Sequence, residues 1–225
     1  MSTEPAGGRE RASRVRRAAS DDGLLIVGLV GRAGSGKSTV ARILAAQGAR
    51  LIEADLIGHE VTDRDPEVRA ALASEYGPDV YRRGGSLDRA RVAARVFSDP
   101  GALERLNALV HPRIVSAIHR RLDALRAEGY RGPVLVDAAL MLDWKLERDC
   151  DAVLAVVASE AHQISRLMRS RGWDEADARA RLAAQRTNEV FRAAADEVIE
   201  NDEDASALLA ATRSAFRRLT ARPRA

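Results

Sequence analysis

The residues with the most chemical promise stand close together near the amino end: Gly31-Arg32-Ala33-Gly34-Ser35-Gly36-Lys37-Ser38 fits the pattern G, four residues, G-K-[ST]. With only 16 glycines in 225 residues, a chance match has odds on the order of one in a thousand. Of the 36 basic residues only Lys37 and Lys145 are lysine, the rest arginine, so a lysine here is a rare choice. Glycines keep side chains out of a concavity where backbone N–H groups and a helix amino end converge on a polyphosphate. Lys37 is placed to reach the terminal phosphates and Ser38 to ligate Mg2+, so the ligand read from this loop is MgATP.

Three polar residues end apolar runs further along: Asp55 after 51–54, Asp137 after 134–136 and Asn201 after 198–200. In an open parallel sheet reacting groups collect beyond the carboxyl ends of the strands, so these three should line one edge. Asp55 is read as the base that accepts a proton from an attacking alcohol. Glu53 would share its strand face by period-two alternation. Asp137 is read either as a carboxylate that holds magnesium through water or as a helix cap. The arginines of residues 160–195, Arg166 among them, could close over ATP and neutralise charge in the transition state. His59, His111, His119 and His162 show no metal-ligand spacing.

Elements must exist to hold these groups. Residues 24–30 form a continuous apolar run, as expected of a strand buried on both faces. Val40, Ile43 and Leu44 then recur at helical spacing with Gly48 as a stop. Further strands are read at 50–54, 134–136, 152–158 and 197–200, separated by helical patterns, which predicts a mostly parallel sheet of about five strands. About 75 residues separate the second and third strands, far more than one crossover helix needs, so a helical insertion at about 56–131 is expected. Within it Ile114, Ile118, Leu122 and Leu125 form a stripe on a helix that Pro112 is read to open, with His111 outside its first turn. Residues 1–22 are read as a disordered tail ahead of one α/β domain over 23–225.

Composition narrows the function classes. The formal charge of +3 from 36 basic and 33 acidic residues, with two Trp, three Tyr and three Phe, leaves little for steering or stacking nucleic acid. No run reaches the roughly 18 apolar residues of a spanning helix, so no membrane association is expected. One cysteine, Cys150, excludes an internal disulfide, and with no signal-like apolar stretch the reading is cytoplasmic. Nothing in the chain sets an oligomeric state.

From about Leu25 to Asn201 the sequence resembles the dephospho-CoA kinases, members of the P-loop NTPase superfamily. The pieces that carry the likeness are the loop at Gly31, Glu53-Ala54-Asp55 with His59, Tyr76-Gly77, Gly85-Ser86-Leu87-Asp88-Arg89, Val96-Phe97, Leu106-Asn107, His111-Pro112, Gln163 with Arg166, Gln185, and Ala195-Asp196 running to Asn201. The resemblance implies a three-layer P-loop core, a helical substrate-binding insertion and a mobile lid at about 160–195. It implies transfer of the ATP γ-phosphoryl group to the ribose 3′-hydroxyl of dephospho-coenzyme A, the last step of coenzyme A biosynthesis. It implies Asp55, Lys37 and Arg166 as catalytic residues, and nucleotide contacts from Gly31, Ala33, Gly34, Ser35, Gly36, Lys37, Ser38, Thr39 and Asn201. Acceptor contacts would come from Asp55, His59, Asp88, Arg89, His111 and Asp137. The chain departs from the family pattern at Arg32, Glu53, Ala139 and Asp143, and a lid arginine and a later basic residue fall at Ser170 and Phe191. Arg169, Arg171 and Arg192 adjoin those gaps, and a shift of one residue would restore each charge. A kinase for another nucleoside or small alcohol, and a nucleotide-binding homologue without turnover, are the alternatives.

Overall fold

In the computed structural model, which describes residues 23–97, 99 and 101–221, five strands form one sheet: β1 (Leu25–Val30), β2 (Arg50–Glu53), β3 (Pro133–Asp137), β4 (Ala152–Val157) and β5 (Glu197–Glu200). Every pairing is parallel and the order is β2-β3-β1-β4-β5. The proposed tail at 1–22 lies outside the described residues.

The unbroken apolar run of β1 follows from helices on both faces of the sheet. Leu25, Val27 and Leu29 point to one side, where α1 (Lys37–Ala45) and α9 (Ala205–Thr220) supply Val40, Leu44, Ala215 and Leu219. Ile26 and Val30 point to the other, against α2 (Ala54–Arg64), α3 (Pro66–Tyr76), α4 (Arg89–Phe97) and α5 (Ala102–Ala127). Those four helices and a 3₁₀ turn, Pro78–Val80, fill the long β2–β3 connection. A second helical arm, α6 (Glu160–Arg171), α7 (Glu175–Ala183) and α8 (Asn188–Ala194), joins β4 to β5. No helix of the described residues is long and apolar enough to cross a membrane.

Pro112 does not open a helix: it lies inside the 26-residue α5. Proline deprives the Ala108 carbonyl of its i+4 donor, but Ala108 and Pro112 are both exposed along an open cleft of about 350 Å³, where water can take that place. The stripe itself holds, since Ile114, Ile118 and Leu122 are buried on this helix. Pro112→Ala is expected to stabilise the fold by about 1–3 kcal/mol, part of the interior proline penalty being offset by a freer unfolded chain. Urea unfolding would read this as a higher midpoint at unchanged slope, and a lower midpoint would contradict it.

Asp55 is also placed differently from the strand-end reading. β2 stops at Glu53, which becomes the N-cap of α2, so Asp55 sits in the first helical turn. A carboxylate there suits the positive helix end. Glu53 and Asp55 therefore do not share a strand face. Asp137 ends β3 ahead of turns rather than a helix, so it caps nothing.

Candidate active site

The loop between β1 and α1 turns through left-handed glycines. Gly34 has φ +73°, and a Cβ there would lie 2.6 Å from the Gln163 carbonyl oxygen. Gly36, the N-cap of α1, has φ +104°, and a Cβ would lie 2.2 Å from Asn201 Nδ2. Both positions need glycine for conformation and for space. Asn201 Nδ2 donates to the Ser35 carbonyl at 2.7 Å, fastening the end of β5 to the loop. Arg166, from α6, donates to the Gly34 and Ser35 carbonyls at 3.3 Å each and to the Asn201 carbonyl at 2.7 Å. The buried hydroxyl of Ser35 has no partner among the described residues.

Ser38 lies exposed and Thr39 half-buried in the first turn of α1, where the first N–H groups of a helix have no partner within it, although that of Thr39 donates to the Gly36 carbonyl at 3.0 Å. Lys37 folds back, donating to the Gly31 carbonyl at 2.8 Å and to that of Arg32 at 3.4 Å. Burial draws its ammonium below the ordinary lysine value, while the charges of Asp137 and Asp55 push the other way. Burial likewise raises the Asp137 carboxyl, with Lys37 opposing and Asp55 and Glu53 adding to the rise. These charges form one field at the carboxyl ends of β2 and β3, which register Glu53 beside Asp137. The sign of a pH effect follows. With the Lys37 cation read as the contact to phosphate, the alkaline limb of kcat/KM for ATP is expected below the usual lysine titration. Asp137→Asn removes a charge that raises Lys37 and should move that limb lower still; a shift upward would show that the two groups are not coupled.

Ala33 departs from the cradle reading. Its N–H donates to Gln185 Oε1 at 2.9 Å and its side chain packs among α6 and α7 apolar residues, so it attaches the loop to the helical arm and turns no N–H toward a phosphate. His59 is exposed on α2, one turn after Asp55 and on the same face. Asp88 accepts from the Arg91 N–H at 3.1 Å, a cap for α4, and from Arg82 Nε at 3.4 Å. Arg89 donates to Thr62 Oγ1 at 3.0 Å and to Asp63 Oδ1 at 3.2 Å, so here it holds the end of α2. His111 meets the Trp144 ring edge-on at 5.1 Å, and burial lowers its imidazole. His119 and His162 are paired with Asp149 at 3.0 Å and Asp202 at 2.8 Å.

Arg192, read as able to restore the missing charge by a one-residue shift, is held at β5 in this structure. Phe191 is buried in the core, and Arg192 grips Glu200 at 3.0 and 2.9 Å. Arg186 is held by Asp143 at 2.7 Å and Arg169 leans back on the Ser165 carbonyl at 3.4 Å. Two burials at the loop carried too little local signal to be read: that of Gln163, wholly buried with neither amide atom partnered among the described residues, and that of Arg32, a loop residue buried despite its charge.

Residues 25–207 match the family described as CoaE: Dephospho-CoA kinase. A dephospho-CoA kinase from Streptomyces avermitilis is 44% identical over 179 residues, which cover 80% of this chain and 86% of that protein. One from Thermobifida fusca is 41% identical, over 79% of this chain and 88% of the relative. Among solved structures, TT1252 from Thermus thermophilus superposes with a TM-score of 0.72 at 29% identity, over 86% of this chain and 96% of that one.

Proposed function

This chain belongs to the dephospho-CoA kinase family, and we propose that it transfers the γ-phosphoryl group of ATP to the ribose 3′-hydroxyl of dephospho-coenzyme A. The observation that carries the reading is the joining of a Gly-rich loop and half-buried Lys37 with the Asp55 and Asp137 carboxylates at one sheet edge. In an in-line transfer the protein's work is positioning and charge stabilisation. Lys37 and the amides of residues 34–39 bind the polyphosphate, Arg166 and Asn201 brace the loop, and Asp55 takes the proton from the attacking hydroxyl. His59, beside Asp55, contacts the acceptor, with His111 further along the insertion. Asp88 and Arg89 reach the acceptor only by exchanging their present bonds, and otherwise shape its wall.

The donor set suits magnesium. No group of three His, Cys, Asp or Glu side chains that could hold a metal occurs among the described residues. Mg2+ characteristically keeps several waters and takes one or two protein oxygens plus phosphates. Ser38 would be the direct ligand and Asp137 a holder of its waters. When bound, the ion neutralises charge on the β- and γ-phosphates. The reading places the reaction in the cytoplasm and needs neither nucleic acid nor membrane.

The test is direct: protein, ATP, magnesium and dephospho-coenzyme A should yield coenzyme A and ADP in equal amounts. A panel of other nucleosides and small alcohols should give lower kcat/KM. No coenzyme A at any protein concentration, or a better acceptor in the panel, would overturn the assignment.

A further inference from the structure

The pattern G-x-x-x-x-G-K-S makes no demand on the side chain at its second position. Here that position is Arg32, with only 8% of its surface exposed. A buried guanidinium is tolerated where its donors meet acceptors; Nε of Arg32 has none among the described residues, and the acceptors that face its two Nη atoms lie far off in sequence. Nη2 donates to the Leu182 carbonyl at 2.5 Å, in the last turn of α7. Nη1 faces the Glu160 carboxylate at 3.7 Å, in the first turn of α6. One side chain thus bridges the start and the end of the α6–α7 pair.

The next two residues extend the seam. Ala33 packs into a small apolar cluster of Ile164, Leu167, Ala178 and Leu182, joined by half-buried Trp173, and its N–H is held by Gln185. Gly34 lies so close to the Gln163 backbone that no side chain would fit. Within this seam Arg32 supplies a charged contact from the loop side. Arg166 reaches the loop carbonyls from α6, so its placement depends on the same seam.

We propose that Arg32 is a positioning residue that locks the helical arm onto the phosphate loop, so that the nucleotide cradle is already assembled when nucleotide arrives. The proposal rests on the kinase reading of the site, and it concerns nucleotide alone. A buried charge-assisted hydrogen bond biases such an equilibrium by about 10- to 100-fold. Apparent nucleotide affinity scales with the docked fraction, so loss of the lock should weaken it by about tenfold where a tenth of the molecules stay docked.

Trp173 reports the arm directly. In a Trp144→Phe background, which removes the other tryptophan and a buried indole N–H without a partner among the described residues, acrylamide quenching follows Trp173 alone. Arg32→Ala should at least double the quenching constant without ligand, and Arg32→Lys should recover part of the protection. Titration with ADP and magnesium should show Kd raised by about tenfold in Arg32→Ala, with KM for ATP rising in step, KM for dephospho-coenzyme A unchanged and kcat within about threefold. Unchanged quenching and unchanged ADP affinity in a folded Arg32→Ala protein would overturn the proposal. If Arg32→Ala does not fold, Arg32→Gln decides by the same two readouts. The quenching arm needs no turnover, so a failed kinase assay and a failed lock give different results.

Discussion

Lys37→Ala is expected to lower kcat/KM for ATP by at least about 10³-fold, the lower end of what a cation at a transferring phosphoryl group is worth. Two losses combine. The terminal phosphates lose their only lysine contact, and the carboxylates of Asp137, Asp55 and Glu53, whose charges meet at this edge, face an incoming polyanion without that cation. Arginine is no substitute, because a planar fork does not fit where an ammonium is packed against the Gly31 carbonyl at 2.8 Å. Lys37→Arg should therefore also fall by orders of magnitude. Stability gives a separate check with a definite sign. Burial already raises the Asp137 carboxyl and Lys37 opposes the rise, so the alanine variant should raise it further. A carboxyl whose folded value lies above its unfolded one loses stability as pH climbs from the unfolded value through the folded one. The deficit of Lys37→Ala against the parent should then be smallest in acid and grow toward neutral pH. Retention of a tenth of the parent kcat/KM would remove Lys37 from the phosphate site.

What the sequence disclosed about this site tracks the range of the forces involved. The glycine loop and β1 were legible because their causes are local: a left-handed turn that only glycine adopts freely, and a run apolar at every position because both faces of the sheet are covered. The edge residues Asp55, Asp137 and Asn201 were found by their place after apolar runs, although Asp55 proved helical, since α2 begins as soon as β2 ends. Pro112 was misread for a related reason. Local chemistry favours proline in a first turn, but an exposed carbonyl lets a long helix, anchored by its buried stripe, run through it. Arg32, Gln163 and Gln185 were out of reach as loop contacts because their partners lie about 130–150 residues away, brought together by the sheet order. Neither pattern nor propensity carries that information.

Asp55→Asn is the complementary experiment, since it keeps the shape of the side chain and removes its capacity to take a proton. ATP binding by calorimetry should stay within about threefold, because the loop, Arg166 and Asn201 are untouched and Asp55 supports the Lys37 charge less than Asp137 does, while kcat falls by about 10²–10³. The ordering against Lys37→Ala is part of the expectation. In a loose phosphoryl-transfer transition state the hydroxyl is little bonded when the leaving oxygen departs, so base catalysis contributes at the lower end of its range and charge stabilisation more. KM for dephospho-coenzyme A separates the two roles open to Asp55. A base lost from the transition state lowers kcat and kcat/KM together, whereas a group that only holds the acceptor raises KM with kcat retained. Its place in the first turn of α2, with the far end of that helix gripped by Arg89 at Thr62 and Asp63, argues for the first, because an exposed carboxylate on a fixed helix is aimed before the acceptor arrives. Normal kcat in Asp55→Asn would move the proton acceptor elsewhere on this edge, and Asp137 would be the next carboxylate to replace.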